Sequence, residues 1–164
     1  MFGAVHAEKN LLLSFTKEHT MQASPVSTDS YAKVIHNSKR VRWDIEGDVL
    51  RGRRFDLSKP FLPRGLTLVD DLGYMQADDR RLVSQIQGRS YAYIFGLVER
   101  FISVKMLEIG HAHAMGDQVA LEAVVGMTDE EIKHQELLRR LEILMDADMP
   151  AGYRPAAESN AVAA

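Results

Sequence analysis

From Asp78 onward the apolar residues recur at intervals of three and four: Leu82, Val83, Ile86, Ile94, Phe95, Val98, Phe101, Ile102, Met106 and Ile109. That is the period of one helical face, and no proline interrupts it before His113. Asp78 and Asp79 offer capping oxygens and negative charge where a helix N-terminus wants both. Gly116 then supplies a stop and Asp117 a fresh cap. A second periodic run through Leu121, Val124, Leu137, Leu138, Leu141 and Leu144 ends before Met149-Pro150. Gly126 and the capping-box pattern Thr128-Asp129-Glu130-Glu131 could divide it, but one long helix is the expected reading. The fold class predicted is all-α: a long antiparallel helical hairpin over residues 78–150, each arm roughly 45–50 Å long.

The chain before the hairpin reads differently. Residues 31–77 contain Gly47, Gly52, Pro60, Pro63, Gly65 and Gly73, too many breakers for a long helix, together with the only tryptophan, Trp43. Val41–Ile45 and Leu66–Val69 can form short extended or helical pieces. Such a segment is too broken to build its own core, and it is expected as an irregular arm laid over the hairpin through Trp43, Phe55 and Phe61. Residues 1–30, with the polar stretch Ser24–Ser30 and Met21 as an alternative start, are expected to be a mobile tail. Residues 151–164 form a second tail that reads like the truncated beginning of a third helix. Both long helices carry wide apolar surfaces that two helices alone would leave wet, so oligomerisation or further C-terminal helices are expected.

Composition removes several classes of chemistry. With 164 residues the chain is about one domain. It has no cysteine, which excludes disulfides, thiolate zinc sites, iron–sulfur clusters and thiol nucleophiles. A net charge of -3 offers no global attraction for nucleic acid, and no apolar run is long enough for a membrane span or a signal peptide. A cytoplasmic location is the resulting expectation. The basic clusters Lys39-Arg40-Val41-Arg42 and Arg51-Gly52-Arg53-Arg54 are offset by Asp44, Glu46 and Asp48, so they read as a salt-bridged arm.

What remains for chemistry is carboxylate and imidazole. On a helical wheel Glu99 shares its stripe with Ala92, Phe95, Ile102 and Met106. On the second helix Glu131 and His134 interrupt an oily stripe of Val124, Met127, Leu138, Leu141 and Met145. A carboxylate in such a stripe is costly unless it is paired, hydrogen-bonded, protonated or metal-bound. Glu and His three residues apart point the same way and can share one ion. Counted from the turn, Glu99 and Glu131 both lie roughly 23 Å along their helices, so the three side chains are predicted to converge. A Glu-x-x-His pair alone means little, since chance gives roughly 0.4 of them in a chain of this make-up. The second pair, Glu108 and His111, points away from Glu99 and about 13 Å nearer the turn, and reads as an ordinary polar pair. His113 reads as a turn residue, Tyr91 and Tyr93 as packing residues, and His6, His19 and His36 have no assigned role. No phosphate loop, nucleophile elbow or zincin motif is present.

At Val98-Glu99-Arg100-Phe101-Ile102 and Asp129-Glu130-Glu131-Ile132-Lys133-His134-Gln135-Glu136 the chain resembles the ferritin-like di-iron carboxylate superfamily, nearest to the p-aminobenzoate N-oxygenase type. The resemblance covers about residues 78–147 and corresponds to the N-terminal half of that fold. It implies half of a four-helix bundle in which Glu99, Glu131 and His134 are metal ligands, with another Glu and another Glu-x-x-His on two further helices. It further implies iron, or manganese, and an oxidase or oxygenase that activates O2 toward an unknown small molecule. Two other readings stay open: a two-fold assembled ferritin-like protein of iron oxidation and storage, and a metal-free helical interaction module.

Overall fold

The computed structural model describes residues 26–152, and among these there is no β-strand. Two long helices dominate: α3, Ala77–His113, and α4, Gln118–Asp148. At 37 and 31 residues they are about 55 Å and about 46 Å long. The Asp79 carboxylate accepts the Gln76 N–H at 3.1 Å at the start of α3. The Asp117 carboxylate accepts the N–H groups of Val119 and Ala120 at 2.9 and 3.1 Å at the start of α4. Thr128 does not start a new helix, because its hydroxyl donates back to the Val124 carbonyl at 3.0 Å, and α4 runs unbroken through Gly126. The two helices are antiparallel. Gly110 sits beside Val124, Gln135 bonds to the Ser103 hydroxyl at 2.9 Å, Gly96 faces Leu138, and Arg89 pairs with Asp146.

The arm departs from expectation at its start. Thr28–Arg40 is a regular helix, α1, where a tail to residue 30 and irregular chain from 31 were expected. Every glycine and proline of the arm lies beyond residue 46, so nothing in this stretch breaks a helix. Ser27 caps it, accepting from the Ser30 N–H at 3.4 Å, and Lys39 and Arg40 suit its C-terminal dipole. No α1 residue is fully buried. It packs along α4, where Thr28 donates to the Asp117 cap at 2.9 Å and Lys39 to Glu122 at 2.9 Å, and Tyr31 meets His113, the last residue of α3, edge-on at 5.9 Å.

Beyond α1 the arm continues along α4 toward the open end of the hairpin. A π-helical turn, Ile45–Leu50, buries both of its end residues and is closed by Arg51 and Gly52 in the left-handed region (φ 53° and 65°). Glu46 ties it to Arg140 at 2.8 Å, and Arg54 reaches Asp148 at 3.4 Å. Phe55 and Phe61 then meet at 4.6 Å with their rings tilted by 44° and close a core on Ala92, Met145 and Met149, with Leu57, Ile86, Leu138 and Leu141 around it. The arm crosses to α3 there: the Gln85 amide donates to the carbonyls of Leu57 and Lys59, and Ser84 accepts the Leu62 N–H. Gly88 permits the crossing, since a Cβ at this position would lie 2.8 Å from the Phe61 Cβ. A short helix α2, Arg64–Thr67, and a 3-10 turn, Val69–Asp71, lead back to α3. Phe55 and Phe61 thus seat this part of the arm on the hairpin.

The packing leaves much of the hairpin uncovered. Ile94, Phe95, Phe101 and Val104 on α3 are between 41 and 57% exposed, and Val125, Met127, Ile132 and Ile143 on α4 between 44 and 57%. No helix among the described residues is long and apolar enough to cross a membrane.

Candidate metal centre

Glu99 comes from the middle of α3, and Glu131 and His134 lie one turn apart on α4. Helical periodicity sets Glu131 and His134 on one edge of α4, and the antiparallel pairing brings that edge level with Glu99. One potential ligand atom from each of the three lies within 4.8 Å of the others, and among the described residues no other such group of His, Asp and Glu occurs. The imidazole Nδ1 faces the carboxylates, 3.2 Å from Glu131 Oε2 and 3.9 Å from Glu99 Oε1.

The two carboxylates are largely enclosed, with side chains 10% exposed for Glu131 and 18% for Glu99, while His134 forms the half-open edge at 42%. Glu99 Oε2 is buried without a hydrogen-bond partner. Burial pushes the Glu99 carboxyl up from 4.5 to about 7. Glu131 adds to this through a hydrogen bond and its charge, and the nearby His134 opposes it. An unpartnered buried carboxylate oxygen is expensive. A cation placed among the three groups would satisfy it, and carboxylate with imidazole suits iron or manganese. Three donors hold one ion and leave coordination positions for water or further ligands.

The arm closes one side of this cluster. The Trp43 ring stacks on His134 at 5.8 Å between centroids and 22° between planes. Its indole N–H donates to Glu130 at 3.2 Å, and the Lys133 ammonium sits 4.4 Å from its centre. Arm packing through Trp43 was legible in the sequence; contact with the cluster was not, because it pairs positions about ninety residues apart.

The remaining candidates stand away from the cluster. Glu108 pairs with Lys105 at 2.9 Å on the exposed side of α3, His111 and Tyr91 are exposed, and Tyr93 is half-buried. Several of the arm's basic residues are engaged within the chain: Arg42 lies 3.8 Å from Glu130, Arg51 bonds to the Asp48 carbonyl, and Arg53 to the Leu50 carbonyl. His6, His19 and the tail beyond residue 152 lie outside the described residues. Comparison with protein-family models, with curated proteins and with solved structures finds no match.

Proposed function

We propose that this chain binds a divalent transition metal, iron or manganese, between its two long helices through Glu99, Glu131 and His134. The observation that carries the reading is the convergence of these three groups around a buried, unpartnered Glu99 oxygen. The carboxylates would supply negative charge and bridging oxygens, and His134 a neutral nitrogen. In the fuller reading the hairpin is half of a ferritin-like di-iron carboxylate bundle, and the chain is part of an oxidase or oxygenase of a small organic molecule. When bound, a metal pair of that kind supplies the O2-activating chemistry. This chain's own residues do three things toward it: they present the ligands, hold them level across two rigid helices, and exclude water from the Glu131 side.

The other half of such a site would come either from further helices or from a second copy, giving two Glu and two Glu-x-x-His. Self-association has one specific observation in its favour. Phe95 and Met127, on the ligand-bearing stripes, are 50% and 44% exposed and would be buried by any such pairing. The metal-free module is the competing reading, with Glu131 and His134 as a plain hydrogen-bonded pair.

Metal content after anaerobic loading with Fe(II) or Mn(II), measured beside solution mass by ultracentrifugation, separates these readings. Bound metal that is lost on Glu131→Ala is expected. A wild-type chain that retains no metal supports the interaction module, and tight binding of two irons by a monomer overturns the half-site account.

A further inference from the structure

One member of the three-ligand cluster is held by the hairpin only at one ring atom, His134 Nδ1, which hydrogen-bonds to Glu131 at 3.2 Å. Glu99 and Glu131 are confined between α3 and α4, but His134 projects at the half-open edge, where an imidazole is ordinarily free to swing into solvent. What stands against its open face is not a hairpin residue. It is Trp43, from the arm.

We infer that Trp43 is a positioning residue of this cluster, a fixed aromatic wall that keeps the His134 ring turned with Nδ1 toward the two carboxylates. Contacts on the indole and on the chain to either side of it hold the wall in place. The indole N–H is tied to Glu130, which lies one turn before His134 on the same helix. The Lys133 ammonium packs on the indole ring, a cation–π contact that also orients it. Upstream, Arg42 approaches Glu130 and Lys39 pairs with Glu122, two ties between this end of the arm and α4. Downstream, Ile45 is buried and Glu46 is held by Arg140. Trp43 therefore reaches His134 already ordered. The conformational freedom that a surface histidine would lose on taking up a ligand is lost when the chain folds. Neighbours that orient a ligand histidine commonly govern metal affinity by factors of ten or more. Here stacking on the ring face adds to the Nδ1–Glu131 hydrogen bond, in the place where a bond to the second nitrogen more often serves.

This inference rests on the metal reading for its affinity arm only, so the test carries a second arm that needs no metal. In the metal-free protein, long-range ¹H–¹⁵N spectra of the His134 ring are compared between wild type, Trp43→Phe, Trp43→Ala and Glu130→Ala. Wild type and Trp43→Phe, which both keep a ring on the imidazole, are expected to show one tautomer; Trp43→Ala is expected to show averaging. Glu130→Ala, which frees the indole without removing it, is expected to fall between. In parallel each protein is titrated with Co(II), with Glu131→Ala as the non-binding control. Affinity should fall about tenfold in Trp43→Ala and no more than about threefold in Trp43→Phe. An unaveraged His134 ring with undiminished Co(II) affinity in Trp43→Ala overturns the inference and leaves the metal reading standing. Absence of Co(II) binding by wild type overturns the metal reading instead, and the ring spectra then decide the role of Trp43 alone. Should Trp43→Ala fail to fold, Glu130→Ala decides it: a ring and an affinity identical to wild type overturn the inference.

Discussion

Glu99→Gln should stabilise the metal-free protein at alkaline pH and do little in acid. Glu99 carries a folded-state pKa of about 7 against an ordinary 4.5, chiefly because burial disfavours its charged form. Between those two values the folded chain holds a proton that the unfolded chain has already lost. Stability therefore falls as pH rises through this window, and the penalty is complete above about 7 and absent below about 4.5. A displacement from 4.5 to about 7 corresponds to about 3 kcal/mol. Solvent reaching the cluster past the half-open His134 screens part of this, leaving roughly 1–2 kcal/mol. Gln keeps the size of the side chain and removes the titration. Urea denaturation at pH 8 and pH 5, in the presence of chelator, measures the difference. The variant should exceed wild type by roughly 1–2 kcal/mol at pH 8 and approach it at pH 5. Equal stabilities at both pH values would refute the assignment of Glu99 as a buried, destabilised carboxylate. Adding Mn(II) at pH 8 should then reverse the order, because only wild type gains from binding.

The other outcomes are simpler to read. Gly88→Ala should destabilise by about 1–3 kcal/mol despite the better helix former, since its Cβ would meet Phe61 at 2.8 Å; a rise in urea midpoint would contradict the packing described. Asp117→Ala should lower the melting temperature and speed hydrogen exchange over residues 28–40, because it removes both the α4 cap and the Thr28 tether. The Ala120 N–H and the Thr28 hydroxyl hold the Asp117 carboxyl below its ordinary 3.8. Its contribution is thus present above that value and lost as pH falls further, which acid titration of the same exchange rates would follow. Co(II) should quench the emission of Trp43, the only tryptophan, in wild type but not in Glu131→Ala. Glu108→Ala should leave metal binding unchanged, as measured by Co(II) titration, because this residue sits on the exposed side of α3.

The long hairpin was legible because its signal is local. Apolar residues at three-to-four spacing, Asp117 at the turn and the absence of proline from 78 to 149 each act within a few residues of where they stand. The candidate cluster was legible for a related reason. Once two regular helices are joined by a short turn, their rise per residue fixes which positions are level, and Glu99, Glu131 and His134 are out of character on their stripes. The start of α1 was not legible, since it has no fully buried residue of its own and is tied to the hairpin by Thr28, Tyr31 and Lys39, whose partners are distant in the chain. Nor could the chain alone say that Thr128 turns its hydroxyl back into α4, for the same four residues can cap a helix or continue one. The placement of Trp43 on His134 is the clearest case. Periodicity relates residues within one helix, whereas this contact joins an irregular arm to a distant helix. It is decided by where the Phe55–Phe61 core, the Gly88 gap and the Glu46–Arg140 pair let the arm lie.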